Sequence, residues 1–335
     1  MQRGPKKTTG AIVGLGNIGF GFGGDPKRKA TWTHAQAFER SGSIELIAAV
    51  DTDAAKRAAF LAAYPKTRVF PSIEEMLNAR VPELVSICAP TALHYLLART
   101  CVKAGVQALF CEKPMAATQP QARAILELCR QARVVLAVNH IRRWDAHYLR
   151  MAGLIAKGGI GEVKSVSAYY SGQVFNIGTH LIDAIRMLTG LNPLQAVGFS
   201  PQPGAPDPHV SGLLIMDGGV PCALTCHGKR EDLVFEIAVT GTRGRLRATD
   251  SPRTTRLEHF TASPNYAGYR ELTSSAFAAP PKRDRFVKAV QDICAALKDR
   301  TREPACSGKD GYIALSAAES LSRSCREGSK PKEIK

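Results

Sequence analysis

Three glycines open the chemical reading. The apolar run Ala11-Ile12-Val13 meets Gly14-Leu15-Gly16-Asn17-Ile18-Gly19, which spaces its glycines as GxGxxG. Gly14 permits a tight turn, Gly16 lets backbone approach a pyrophosphate, and Gly19 lets a helix pack closely on the strand. The N-terminus of that helix attracts phosphate charge, so Gly14, Gly16, Asn17 and Ile18 are the candidate phosphate-cradling residues. A second apolar run, residues 44–50, ends at Asp51. A carboxylate there accepts hydrogen bonds from the adenosine ribose and repels a 2′-phosphate, which favours NAD over NADP. Arg57 could offset part of that preference, and Asp53 is available to cap the following helix.

Asp51 stands 32 positions after Gly19, against the roughly 20 expected of a dinucleotide fold. The surplus fits an insertion over residues 20–31, FGFGGDPKRKAT, which is Gly-rich and basic. It reads as a lid, an anion-binding loop, or a mobile surface excursion without a role. Further along, Cys111-Glu112-Lys113-Pro114 closes another apolar run. A lysine at a strand end, followed by proline, is unlike a solvated surface lysine. Ala89-Pro90 and His94 follow the run 84–88 in the same way.

These residues need a scaffold that brings strand ends together. Apolar runs at 11–13, 44–50, 84–88, 106–111 and 134–138 alternate with helical stretches at 53–63, 93–104 and 119–132. That pattern predicts an α/β fold, a doubly wound parallel sheet with ligands bound at the carboxyl ends of its strands. Gly14, Asp51, Pro90, Glu112 and Asn139 fall at those ends. After about residue 140 the rhythm changes to helices at 145–157 and 178–188 and longer strands. Leu233, Phe235, Ile237 and Val239 share one face, as do Arg243, Arg245 and Arg247. This predicts a large, mostly antiparallel open sheet. Residues 250–282 lack periodicity and read as a long loop, and two amphipathic helices close the chain. The expected division is a flexible tail 1–8, a dinucleotide-binding domain 9–140 and a second domain 141–330.

Composition narrows the class. In 335 residues, 45 Lys+Arg against 29 Asp+Glu give +16, with 44% hydrophobic residues. That excludes a disordered chain. No apolar stretch reaches the roughly 18 residues of a membrane span, and residues 1–10 lack the apolar core of a signal peptide. Nine scattered cysteines without a CxxC pair read as reduced, buried thiols, and no clustered metal ligands are seen. The basic residues are dispersed, without the aromatic interleaving of a nucleic-acid site. A cytoplasmic enzyme without nucleic-acid or membrane partners is the expectation.

The ordered set of motifs resembles the Gfo/Idh/MocA family of NAD(P)-dependent oxidoreductases. It comprises the glycine loop, Ala89-Pro90-Thr91 with His94, Cys111-Glu112-Lys113-Pro114, Arg142-Arg143-Trp144, GGIGEV at 158–163, Gly178-Thr179-His180, Gly241-Thr242-Arg243-Gly244 and Ser307-Gly308-Lys309-Asp310-Gly311. The resemblance spans about residues 9–328. It implies an N-terminal Rossmann domain and a C-terminal α/β domain whose open sheet forms a homodimer or homotetramer interface. It also implies Lys113 as catalytic lysine and His180 as general acid/base, with the backbone or side chains of Gly14, Gly16, Asn17, Ile18, Asp51, Pro90, His94 and Glu112 around NAD. Arg142, Arg143, Asn176 and Asp183 are the implied substrate-binding residues. The implied reaction is hydride transfer between nicotinamide and a hydroxyl or keto carbon of a sugar or sugar derivative, possibly nucleotide-linked. A redox-neutral sugar enzyme of epimerase or glycosidase type, and a non-catalytic NAD-binding protein, stand as alternatives. Many members carry Asp four residues before the histidine, where this chain has Asn176. An amide cannot take up a proton as a carboxylate does, which leaves Lys113 and His180 as the acid/base pair. The segment 171–175 is short, as expected of a more open pocket, and His140 and His147 are expected to be structural.

Overall fold

The computed structural model describes residues 6–28, 30–250, 253–275, 277 and 284–334. Residues 1–5 of the expected tail lie outside the described residues, and so does Lys29 of the basic insertion. Thr8 already lies in the first strand. The chain divides into two units, one of residues 1–144 with 283–312 and one of residues 145–282 with 313–335.

The first unit is built on six parallel strands: β1 (Thr8–Val13), β2 (Ile44–Val50), β3 (Arg68–Phe70), β4 (Leu84–Ile87), β5 (Ala108–Cys111) and β6 (Val135–Val138). Their order is β3-β2-β1-β4-β5-β6, the doubly wound topology the alternating runs predict. β1, β4 and β5 are buried along their whole length, which is why they read as unbroken apolar runs. The connecting helices are α1 (His34–Ser41), α2 (Ala54–Ala63), α3 (Ile73–Ala79), α4 (His94–Lys103) and α5 (Gln119–Gln131). Several begin at side chains that accept hydrogen bonds from first-turn amides: Thr33, Asp53, Ser72 and Thr118. Each satisfies donors that a helix start leaves orphaned.

One expectation is corrected here. The glycine loop does not run straight into a continuous helix, because α1 begins only at His34. Residues 16–20 form a single turn, closed by Phe20 N–H donating to Gly16 O at 2.9 Å. A short 3-10 turn, Gly21–Gly24, follows, and the chain then loops out. On its return His34 N–H donates to Ile18 O at 3.0 Å and Ala35 N–H to Gly19 O at 3.1 Å. The excursion is thus spliced into the first turn of a helix that resumes on the carbonyls it left. Most of its described residues are exposed, but its aromatic side chains make ring contacts. Phe20 meets Phe60 at 5.1 Å and Tyr64 at 6.2 Å between ring centroids. Arg28 stacks on Phe22 and Trp32 and pairs with Asp25.

The second unit contains α6 (Ala146–Ala156), β7 (Val163–Tyr170), α7 (Thr179–Thr189), β8 (Pro193–Phe199), β9 (Ser211–Met216), β10 (Pro221–Cys226), β11 (Phe235–Gly241), β12 (Gly244–Asp250), β13 (Arg253–Ala262) and β14 (Arg270–Ser275). With β15 (Lys332–Glu333) they form a nine-stranded sheet in the order β14-β13-β12-β11-β7-β10-β9-β8-β15. Among the described residues only the β7–β10 pair is parallel; the other pairings are antiparallel. One face buries Val166, Ala168, Tyr170, Leu214, Leu224 and Ile237 with residues of α6 and α7. The alternate residues of the same strands face away from that core.

Two further readings are corrected. Residues 253–262 and 270–275, expected within a loop, form the hairpin β13–β14. Its strands are rich in polar and charged residues and mostly exposed, so no apolar alternation marked them. Leu233 is not on the β11 face; it sits before the strand with φ 50° and 63% exposure. The closing helices are α8 (Arg285–Lys298) and α9 (Gly308–Arg326). α8 buries Phe286, Val290 and Ile293, packs on α1 within the first unit, and starts at the Asp284 cap.

Candidate active site

The parallel register assembles the first unit's site. Val50, Val13, Ile87, Cys111 and Val138 are aligned partners across five strands. The next residues, Asp51, Gly14, Cys88, Glu112 and Asn139, therefore form a row at the carboxyl end of the sheet. Backbone bonds extend the ladder one step further: Gly14 N–H to Val50 O at 2.8 Å, Cys88 N–H to Val13 O at 2.7 Å, Glu112 N–H to Ile87 O at 2.9 Å and Asn139 N–H to Cys111 O at 2.8 Å.

Two glycines of the loop are required by the protein itself. Gly14 has φ +96°, and a Cβ on it would lie 2.6 Å from Ala89 N. A Cβ on Gly19 would lie 2.1 Å from Gly14 O. Gly16 differs: a Cβ there would meet nothing within 4 Å. No packing in the chain demands glycine at 16, whereas close backbone approach to a pyrophosphate does. Among the described residues no hydrogen bond is recorded for the N–H groups of Gly16, Asn17 and Ile18, which leaves donors for an anion. Asp51 Oδ2 accepts from Leu15 N–H at 2.8 Å and Oδ1 from Asp53 N–H at 2.9 Å. Each oxygen keeps a further lone pair for ribose hydroxyls. Arg57 donates to the carbonyls of Asp51 and Thr52, so its guanidinium is fixed to the backbone beside Asp51. The residues present fit a bound dinucleotide, with NAD favoured by the carboxylate.

Around Lys113 the structure adds a buried network. Glu112 Oε1 accepts from His34 Nε2 at 2.9 Å and from Asn139 Nδ2 at 2.6 Å, and Oε2 accepts from Lys113 N–H at 3.2 Å. Burial pushes the Glu112 carboxyl up, but the His34 and Asn139 hydrogen bonds and the charges of His34 and Lys113 outweigh it. Its pKa falls below the usual glutamate value, so it is a carboxylate at neutral pH. Asn139 Oδ1 is buried without a hydrogen-bond partner, an acceptor left for a ligand's donor. His94 is fully buried, with its ring nitrogens 2.8 Å from Ala89 O and 2.9 Å from Pro114 O. It clamps the chain after β4 to the chain after Lys113.

Of the expected substrate arginines and the arginine of the basic insertion, some are committed elsewhere. Arg143 pairs with Asp310 at 2.9 Å and also reaches Ala305 O. Arg142 is half-buried in the 3-10 turn Ile141–Trp144, and Arg28 is held by Asp25. All nine cysteines are free and eight are buried. Burial pushes the thiols of Cys88 and Cys111 well up, which makes them poor nucleophiles.

In the second unit, β7 delivers the chain into a π-turn, Val174–Gly178, from which α7 continues with His180 as its second residue. Such widened turns are often found at functional sites. Val174 N–H donates to Pro208 O at 2.9 Å and Phe175 N–H to Asp207 Oδ1 at 2.8 Å. Tyr170 OH, a phenol whose pKa burial raises, donates to Val210 O at 2.5 Å. The turn holding Asn176 and leading to His180 is thereby latched to residues 207–210. Asn176 and His180 are half-exposed. Asp183 instead faces the interior at 1% exposure, 3.8 Å from Arg186. His147 Nε2 lies 2.6 Å from Thr255 Oγ1 within the second unit.

Sequence reasoning missed His34, Ser86 and the pairing role of Asn139. Thr33 ahead of Gln36 marks a helix start, but no spacing connects His34 to Glu112, 78 residues away.

Comparison with known proteins agrees with this layout. Residues 9–140 match the oxidoreductase family with an NAD-binding Rossmann fold, and residues 164–334 match its C-terminal alpha/beta domain. The chain is 27% identical over 317 residues to inositol 2-dehydrogenase of Rhizobium meliloti, covering 88% of this chain and 93% of that one. It is 31% identical over 198 residues to UDP-N-acetylglucosamine 3-dehydrogenase of Acidithiobacillus ferrooxidans, 56% of this chain and 57% of that one. Its fold is similar to that of an oxidoreductase from Agrobacterium radiobacter in complex with NAD+, L-tartaric acid and magnesium. The TM-score is 0.77 at 18% identity, covering 98% of this chain and 99% of that one.

Proposed function

The chain belongs to the Gfo/Idh/MocA family of NAD-dependent oxidoreductases, and from that premise we propose how it works and on what. The substrate is a polyol, sugar or sugar derivative, possibly nucleotide-linked, oxidised or reduced at a CH–OH carbon. The names of its relatives support this: an inositol dehydrogenase, a nucleotide-sugar dehydrogenase and a D-glucoside 3-dehydrogenase of Escherichia coli.

The observation that carries the reading is the row at the carboxyl end of the parallel sheet. The dinucleotide cradle after β1 and Glu112 after β5, the residue before Lys113, flank the end of β4 in it. Bound NAD supplies the hydride acceptor. Lys113 hydrogen-bonds the reacting oxygen and stabilises its alkoxide character. His180 takes the hydroxyl proton, suited to this because an imidazole titrates near neutrality. Asn176 orients the ligand or His180 without accepting a proton. Arg142 binds the substrate, while Arg143 and Asp183 are engaged with Asp310 and Arg186. In this reading the first unit binds NAD and the second binds substrate. The open face of the nine-stranded sheet joins two or four copies. Nine free cysteines suit a reducing compartment, so the proposed location is the cytoplasm; among the described residues no helix is long and apolar enough to cross a membrane.

The test is nicotinamide absorbance with NAD against a panel of inositols, aldoses, glucosides and UDP-sugars. Turnover on at least one class is expected. Lys113→Ala should lower kcat on it by about 1,000-fold, within the range of lost acid/base catalysis, while NAD affinity stays within about threefold. Silence across the whole panel would sink the substrate class. Near-normal turnover in the alanine variant would remove Lys113 from its role.

A further inference from the structure

Nothing in the assigned roles accounts for His34. Its side chain is completely buried, and every polar atom of it is engaged. Nε2 lies 2.9 Å from Glu112 Oε1 and Nδ1 3.0 Å from Ser86 Oγ on β4. The ring is wedged against Phe110 at 4.7 Å and Phe286 at 4.9 Å. With Glu112 ionised, Nε2 carries the proton and donates it. His34 is also where α1 resumes after the excursion, with its backbone N–H on Ile18 O. One residue therefore touches the glycine loop through its backbone and the Glu112 carboxylate through its ring. Glu112 in turn holds the N–H of Lys113.

We propose that His34 is a positioning residue for Lys113: it ties the dinucleotide loop to the lysine through Glu112 and fixes the buried carboxylate beside the lysine's backbone. This rests on the reading of Lys113 as the catalytic lysine. Two physical consequences follow from the one arrangement. The Lys113 peptide is located relative to the loop by consecutive hydrogen bonds, Ile18 O to His34, His34 to Glu112, and Glu112 to Lys113 N–H. The Glu112 charge also favours the ammonium form of Lys113, because an opposite charge nearby stabilises the charged state. The titratable groups that act on Glu112 are His34 on α1, Cys88 after β4, His94 on α4, and Cys111 and Lys113 on either side. Of these, His34 is the one whose ring donates to the carboxylate.

The experiment compares His34→Leu, His34→Gln and Glu112→Gln, each also in the Lys113→Ala background. Turnover is measured on the best substrate of the panel at high enzyme concentration. Reactivity of Lys113 toward acetic anhydride is followed against pH by mass spectrometry, with the exposed Lys298 as internal reference. His34→Leu should lower kcat by about 100-fold, the scale of a misplaced catalytic group, with KM for NAD within about threefold. His34→Gln, which keeps a donor near the Nε2 position, should recover most of that loss. In the Lys113→Ala background, His34→Leu should lower the rate no further, since a residue acting through the lysine has nothing left to act on. Glu112→Gln should shift acetylation of Lys113, and not of Lys298, to lower pH.

A folded His34→Leu enzyme with kcat within threefold of wild type would overturn the proposal, as would a loss that multiplies in the Lys113→Ala background. If His34→Leu does not fold, Glu112→Gln decides: an unshifted Lys113 profile rejects the coupling and a shifted one supports it. If Lys113→Ala alone keeps near-normal turnover, the functional reading of the lysine fails, while the acetylation profile still reports whether the network sets its charge.

Discussion

Glu112 shows how a single residue in this site is decided by its neighbours. Removing one partner of a buried charged pair costs about 3–5 kcal/mol, a large part of the 5–15 kcal/mol that holds a typical domain together. The carboxylate is tolerated because three donors reach it. Its pKa is depressed in the folded protein, so it contributes stability that is present above its unfolded value, near 4.5, and lost as pH falls through the folded one. Wild-type urea midpoints should therefore drop as pH is lowered from about 5 toward 3. Glu112→Gln should show a shallower slope over that window, whatever its midpoint at neutral pH. Identical slopes in the two proteins would show that this carboxylate is not what acid titrates.

At the scale of an element, the interrupted helix is the most informative. If residues 20–31 are removed, Ile18 and His34 become four positions apart, and so do Gly19 and Ala35. The two backbone bonds that now span the excursion would then be ordinary helical i to i+4 bonds. A chain lacking residues 20–31 should accordingly fold, melt cooperatively and bind NAD within about tenfold of the parent, since the loop donors before Gly19 are untouched. What it gives up is the packing of Phe20 on Phe60 and Tyr64 and of Phe22 on Arg28, and the Thr31 hydroxyl's hydrogen bonds with Asp284 and Arg40. Calorimetry and an NAD titration check this. A deleted chain that cannot fold would mean that the excursion, rather than the restored register, holds α1 in place.

Across the whole molecule, the second unit's sheet leaves one broad face away from its core. Tyr169 at 48% exposure and Phe199 at 54% stand out on exposed positions of β7 and β8. Between them the cross-strand row Val197, Leu213, Ala223 and Ser167 runs to Ala238 and Arg247. Exposed aromatic side chains on a sheet face are candidates for an interface. The proposed assembly predicts that Tyr169→Glu reduces a dimer or tetramer toward monomer in light scattering, because a buried unpaired carboxylate is strongly disfavoured. A wild-type protein that is monomeric at micromolar concentration would remove the assembly. Several arginines have local partners, Arg143 with Asp310, Arg245 with Glu258, Arg253 with Asp145 and Arg302 with Asp292, and these neutral pairs leave the +16 excess on other basic residues.

The parallel sheet was legible because burial on both faces forces continuous apolar runs, and their ends announced Gly14, Asp51, Glu112 and Asn139. The β13–β14 hairpin was not legible, because its strands stay exposed and carry no apolar alternation. The glycine motif could be found by spacing, since its demands are local: a turn at Gly14 and a close contact at Gly19. Only the tertiary structure decided which residues surround Lys113. His34 and Glu112 are far apart in the chain and are joined by the parallel register and by a helix that resumes after its own interruption. Long-range contacts of that kind leave no periodicity, so sequence alone set the scaffold and the cofactor chemistry, and folding set the partners of the lysine.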